Sequence, residues 1–404
     1  MMSRNSSASI DSARGWLVVT AAFVCAFVSF GVTYTFGVFL KPIAHEFHAS
    51  QAAMSMLFSI IAALTFFLAP FTGEIADRHG SRAVVAAGAL VMAAALILSA
   101  RVHSFPLLLL TYGCGLGSGA ACVYIPAISD VGEWFKAKRD IALGIAISGI
   151  GCGTLVAAPV SALLIRRYGW RDSFVIFGLA SGALLLLAAA LLSRPPVAAG
   201  KAKAAVMHKA LTPAFRLLYV SLLFAGVAIY VALVFVPAFA ADIGAGRLAG
   251  ATVIAYIGAS SVVGRLGLNA PAERFGLFAM YEAAYLILLV SFGLWLTAHS
   301  YDRLVLFGLV MGVGYGGIAA MAPAVAANIF GIEGLGELLG ILFTGFGVAC
   351  IIGPPLAGRM IDYSGDYKWP VVVGAAAALL AMLLVLPLGK YMSRAAGRQQ
   401  AAAA

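Results

Sequence analysis

Arg265 places a full charge inside an otherwise apolar run, VIAYIGASSVVGRLG. A guanidinium there suits one task well. Its planar fork of N–H donors matches a carboxylate and holds it through paired hydrogen bonds. The alternative is that Arg265, about four residues from the end of its run, extends its stem to the nearer interface and keeps its charge in water. Other side chains could line a site for a small acid. Tyr124 sits just before Pro126 and Tyr315 sits among glycines, and a phenol can donate to a carboxylate or a hydroxyl. Phe346, in FTGFGVACIIGPP, suits the wall of a small apolar pocket, and Ser148 lies in a glycine-rich stretch. Taken singly, each of these four fits helix packing better than a site.

These residues are positioned by a membrane. The chain has 404 residues, is 63% hydrophobic and 10% charged, and has a mean hydropathy of +1.01. A soluble domain is about 45–50% apolar and about 25% charged. Backbone groups in lipid must be satisfied within each segment, which leaves helices or a closed barrel. The apolar runs are long and do not alternate, so they are helices. Twelve are expected, over 17–40, 51–75, 82–102, 104–129, 140–165, 172–193, 214–241, 248–269, 276–298, 303–328, 336–360 and 369–391. The first is long for a signal peptide and is read as retained. The polar stretch SRPPVAAGKAKAAVMHKALTP divides the helices six and six. The expected organisation is an N-terminal segment 1–16, bundles 17–193 and 214–391, a linker 194–213 and a tail 392–404.

Charge sets the orientation. Sixteen Lys and Arg residues fall at the two ends and in the loops of one side, nine on the other, and Arg265 lies between. The positive-inside rule then puts both termini in the cytoplasm, against one outward basic patch, RRYGWRDS. This bias accounts for the net charge of +10 without a nucleic-acid partner.

The halves repeat. GEIADRHGSR at Gly73 and NAPAERFGLF at Asn269 are 196 residues apart, as are PVSALLIRRYG at Pro159 and PLAGRMIDYSG at Pro355. Tyr34 and Tyr230 share that offset. A repeat with an even number of helices keeps its orientation, so the expectation is an all-α membrane protein with twelve transmembrane helices in two parallel six-helix bundles and a site between them at mid-membrane.

GxxADRxGSR resembles the signature loop of the major facilitator superfamily. That family's charged loop residues form a gate, and the resemblance carries this role to Asp77, Arg78 and Arg82, and by the repeat to Glu273 and Arg274. Within the superfamily, ARGWLVVTAAFV, FGVFLKPIAHEF, EWFKAKRDIALGIAISGIGCG and IIGPPLAGRMIDYSGDY resemble the monocarboxylate transporter family, which moves lactate and pyruvate with a proton. The resemblance implies a bacterial member in the inner membrane, working by alternating access as a monomer, with a small monocarboxylate, protons and the lipid bilayer as partners. It places Arg265 on the helix-8 arginine that binds the substrate carboxylate. The animal carriers have an aspartate one turn earlier and a lysine in helix 1. This chain has Ser261 and Tyr34 there. An anion on Arg265 is neutral as a pair, so the substrate itself can bring the proton. Relatives that exchange dicarboxylates such as oxalate carry a lysine in helix 11, and FTGFGVACIIGPP has none, which suits a single carboxylate. An exporter of apolar compounds, an anion exchanger of the same fold and a receptor that binds without transport are the other functions compatible with such a chain.

Several patterns carry no chemistry. GCGLGSG lies inside an apolar helix and reads as close helix packing, not a nucleotide loop. HEFH lacks a third metal ligand, and the five cysteines lie in membrane spans without a CxxC. Nothing assembles a nucleophile, a base and an oxyanion hole, so neither an enzyme nor a cofactor or metal is expected.

Overall fold

In the computed structural model, residues 13–135, 138–193, 209–268, 271–331 and 335–393 are described, and no strand occurs among them. Helix α1 (Ala13–Phe47) is interrupted at Thr35, ending at Tyr34 and resuming at Phe36. It runs past the expected boundary at residue 40 because Leu40 and Ile43 are buried in the core while Glu46 faces outward. Helix α2 begins at Gln51, capped by the Ser50 hydroxyl, and bends by 42° between Phe67 and Ala69. Pro70 follows the bend, where its missing N–H costs least. Helix α3 is Ser81–Ser99, and α4 is Phe105–Trp134.

The next helix is continuous by hydrogen bonding over 53 residues, Arg139–Leu191. Fifty-three residues would extend about 80 Å, against about 30 Å of hydrocarbon. Gly169, at φ 79° and ψ 171°, breaks it. The chain reverses there: the Trp134 indole, at the end of α4, donates to the Ser193 carbonyl at 3.0 Å, so residue 193 returns to the face where the 139 end begins. The halves, 139–168 and 170–191, are α5 and α6. The remaining spans are α7 (Pro213–Asp242), α8 (Arg247–Gly267), α9 (Leu277–Leu296), α10 (Tyr301–Phe330), α11 (Leu335–Ser364) and α12 (Lys368–Val385). With the bent α2 counted once and the long helix split at Gly169, twelve helices among the described residues are long and apolar enough to cross a membrane.

Small residues bring these helices together. A Cβ on Gly149 or Gly153 of α5 would lie 2.3 Å or 2.1 Å from a carbonyl oxygen of α1. Gly264 and Gly316 seat α8 on α10 in the same way. In lipid, where apolar surface gives no drive to associate, such close approach is what holds helices together. GCGLGSG of α4 belongs to this packing, with Gly117 against the Ile61 backbone, although residues Leu109–Leu116 wind as a π-helix. Two seams join the halves: α2 lies against α11, and α5 against α8. A shift of 196 residues turns one seam into the other.

Candidate substrate site

Arg265 sits in the last turn of α8 and is 4% exposed. Its side chain does not run out to the interface. It crosses the seam: Nη1 donates to the Ile147 carbonyl of α5 at 3.2 Å, and Nη2 donates to the Tyr315 hydroxyl of α10 at 3.4 Å. The guanidinium carbon lies 5.4 Å from the centre of the Tyr315 ring. The Ile147 carbonyl and the Tyr315 phenol are neutral, and both bonds exceed the roughly 2.7–2.9 Å of a charged N–H···carboxylate contact. A carboxylate would be a stronger acceptor than either. The close approach of α5 that makes this reach possible depends on Gly151, where a Cβ would lie 2.5 Å from the Gly258 carbonyl oxygen.

The phenols gather beside it. Tyr124 of α4 and Cys152 of α5 both feel the Arg265 charge. The phenol of Tyr34 of α1 lies near those of Tyr315 and of Tyr230 of α7, and Tyr230 lies near the Cys350 thiol of α11. The Tyr34 and Tyr230 rings meet edge to face at 6.2 Å, and Phe30 packs edge-on against both Tyr34 (5.1 Å) and Tyr124 (4.7 Å). Polar side chains from both bundles, Tyr34, Tyr230 and Tyr315, therefore gather near Arg265.

Arg265, Tyr315, Tyr124 and Tyr34 thus come together as one cluster. Phe346 stands beyond Tyr230, with ring centres 6.2 Å apart. Ser148 is half-buried one residue past Ile147, its hydroxyl bonded to the Ile145 carbonyl at 2.6 Å. Ser261 is fully buried, donates to the Gly258 carbonyl at 2.7 Å, and is wedged between Gly151 and Gly316. It packs the seam where the animal carriers hold an acid. Tyr230 was legible only as the repeat mate of Tyr34, and Phe30 and Cys152 carried no signal.

The charged loops are split between the two faces. On the face where the helices begin and end, Arg78 pairs with Glu74 of its own helix at 2.7 Å, Arg82 is exposed, and Arg274 lies over Phe275 at 5.4 Å. The side chains of Asp77 and Glu273 lie outside the described residues. Ser81, which opens α3, donates to the buried Asp130 of α4. On the opposite face, polar ties join the two halves directly. Lys41 of α1 pairs with Asp242 of α7. Burial and this same carboxylate push the Tyr367 phenol up, so it stays protonated and can donate to Asp242. Asp362 of α11 accepts from the Gln51 and Ala52 backbone N–H groups at 2.8 and 2.9 Å, capping α2 from the other bundle. A cleft of about 900 Å³ opens beside this cap between Met56, Leu356 and Arg359, and Arg265 does not line it. Among the described residues no group of three or more His, Cys, Asp or Glu is placed to hold a metal ion, and all five cysteines are free thiols.

Comparison with known proteins places the fold and the family. The Major Facilitator Superfamily model matches residues 22–301 and 218–402. Monocarboxylate transporter 12 of Xenopus laevis is 26% identical, over 97% of this chain and 92% of the relative. Monocarboxylate transporter 4 of Rattus norvegicus is 28% identical, over 94% and 84%. A bacterial homologue of the human lysosomal transporter Spinster, solved in an inward-facing and unoccupied conformation, shares the fold, with a TM-score of 0.70, 17% identity and 96% of each chain covered. The protein is a membrane transporter, not an enzyme, and it belongs to the Major Facilitator Superfamily.

Proposed function

We propose that the protein carries small monocarboxylates such as L-lactate or pyruvate across the membrane together with a proton, by alternating access, with Arg265 as the anchor. The observation that supports this most is the burial of Arg265 across the α5–α8 seam, where its bonds go to a carbonyl and a phenol. An arriving carboxylate replaces these acceptors with shorter, charged hydrogen bonds, and Tyr315 and Tyr124 supply phenol donors around it. Phe346 and the edge of Phe30 wall off the apolar end of the acid, and Ser148 borders the site from α5.

Ser261 stands where the animal carriers have an acid, so the proton travels with the substrate. Carboxylate and proton enter together, so the charge of the site is the same loaded and empty, and each cycle moves one neutral acid. The halves 17–193 and 214–391 rock about this point, joined by the linker 194–213. With the chain termini in the cytoplasm of a bacterial inner membrane, Asp77, Arg78, Arg82, Glu273 and Arg274 gate the inner side. The Lys41–Asp242 pair and the Asp362 cap close the outer side and part when the site opens outward. A single twelve-helix chain holds the whole path, and the carrier works as a monomer.

Proteoliposomes loaded at neutral pH and diluted into acidic medium test this. Labelled L-lactate is expected to accumulate with the gradient and to exchange in counterflow. Uptake indifferent to the gradient would remove the proton, and no uptake of any short monocarboxylate would remove the proposal.

A further inference from the structure

The cleft of about 900 Å³ between α2 and α11 is lined neither by Arg265 nor by the phenols beside it. It opens toward the hydrocarbon. Met56 of α2 and Ile352 and Leu356 of α11 line it and are 48%, 47% and 41% exposed, whereas Phe346 and Cys350, on another face of α11, are buried. Along α2 the lining runs from Ala52 to Ala63, about 16 Å at the rise of an α-helix. That is the depth of one leaflet, since the hydrocarbon of a bilayer is about 30 Å thick. At the end where α2 begins and α11 finishes, the walls turn polar, with Ser50, Arg359 and Asp362. Arg359 is exposed, and among the described residues no hydrogen bond or ion pair holds it. Asp362 accepts the Gln51 and Ala52 N–H groups, one on each oxygen, and a carboxylate has capacity for further donors. The two residues are three apart and therefore neighbours on one face of α11. Beyond them Tyr363 is 96% and Trp369 56% exposed, as aromatic residues are at the level of lipid headgroups.

We infer that this cleft is a lipid site, which takes one phospholipid whose headgroup carries a phosphate and a primary ammonium, as phosphatidylethanolamine does. The phosphate lies on Arg359, the ammonium on Asp362, and an acyl chain runs down the groove between Met56, Ile352 and Leu356. The guanidinium fork suits phosphate oxygens as it suits a carboxylate. The paired charges of the wall match a zwitterion. A trimethylated ammonium has no N–H to give to Asp362, and a headgroup with a net negative charge meets that carboxylate as a like charge. The site stands apart from the substrate path, so it holds or fails independently of the monocarboxylate proposal.

Native mass spectrometry of the full chain in detergent, titrated with dioleoyl phosphatidylethanolamine, phosphatidylcholine or phosphatidylglycerol, tests this. The three lipids share their acyl chains and their phosphate, so differences between them read the rest of the headgroup. The wild type is expected to bind the ethanolamine lipid at least tenfold more tightly than the other two. Arg359→Gln should weaken that binding at least tenfold, and Asp362→Asn should erase the advantage over the choline lipid. Ile352→Trp, which fills the apolar wall, should weaken all three. Arg303→Gln removes an exposed arginine bonded to the Thr297 carbonyl on the same side of the membrane and should change nothing. Arg359 and Ile352 are exposed, so their variants keep the fold, which an unchanged melting temperature without lipid verifies. Equal binding of the three lipids by the wild type, a preference for phosphatidylglycerol, or Arg359→Gln binding as the wild type does would each overturn the site.

Discussion

The α5–α8 and α2–α11 seams are built on the same plan and are used differently. A shift of 196 residues maps Gly151 onto Gly347, Arg265 onto Ala69 and Ile147 onto Phe343. In the α5–α8 seam, Gly151 brings two backbones together and Arg265 reaches a carbonyl across them. In the α2–α11 seam, Gly347 faces Phe66 and Phe67, and Phe346 packs on Phe66 with ring centres 6.3 Å apart. One crossing holds a buried cation and the other is filled with aromatic rings. The second seam carries the Ser59 hydroxyl on the Cys350 carbonyl and, at the end where α2 begins, the Asp362 cap. A duplicated bundle has thus divided its labour. In the proposed carrier, one seam keeps the charge that recognises substrate, and its mate keeps a latch.

The difference can be broken most sharply at the two glycines. Gly151→Ala places a methyl 2.5 Å from the Gly258 carbonyl oxygen and 2.8 Å from the Ser261 hydroxyl, with backbone on one side that cannot give way. Transport should fall at least tenfold and the detergent melting temperature should drop, in line with overpacking costs of about 1–3 kcal/mol. Gly347→Ala meets the Phe66 Cβ at 3.1 Å, so it should cost less and retain most of the activity. Equal losses at the two positions would show that the seams are not specialised.

A smaller effect is expected at the latch. Asp362→Asn weakens a cap worth about 0.5–2 kcal/mol and should shift the population toward the outward-open form by several-fold. Cys350, buried midway along α11 against Ser59 of α2, reports that shift as faster labelling by a thiol reagent from outside, and unchanged labelling would deny Asp362 the role. The smallest effect belongs to Lys41 and Asp242. The pair is partly exposed, and such pairs contribute about 0–1 kcal/mol. Lys41→Ala should change labelling less than Asp362→Asn, and added salt should erase the remaining difference from wild type.

Much of this was legible in the sequence. Long apolar runs fix the helices because a lipid-exposed backbone has no other way to satisfy its hydrogen bonds. The repeat pairs Tyr34 with Tyr230 and foretells that the halves face one another. Arg265 stood out because charge is rare at that depth. What stayed hidden depends on contacts between distant residues. Lys41 and Asp242 lie 201 residues apart, and each alone reads as a charge at a helix end. Asp362 looks like a loop acid until α2 begins beside it. Ser261 looked like a vacancy in the family pattern, and in three dimensions it is a small residue that lets α5, α8 and α10 touch.

Labelled L-lactate uptake under an inward proton gradient, compared for wild type, Arg265→Lys and Arg265→Ala, tests the anchor most directly. Lysine keeps the charge and loses the fork, whereas alanine loses both. Wild-type accumulation with at least a hundredfold loss in both variants is the predicted result. Full transport by Arg265→Ala would contradict it, and the buried arginine would then serve only to bind α8 to α5.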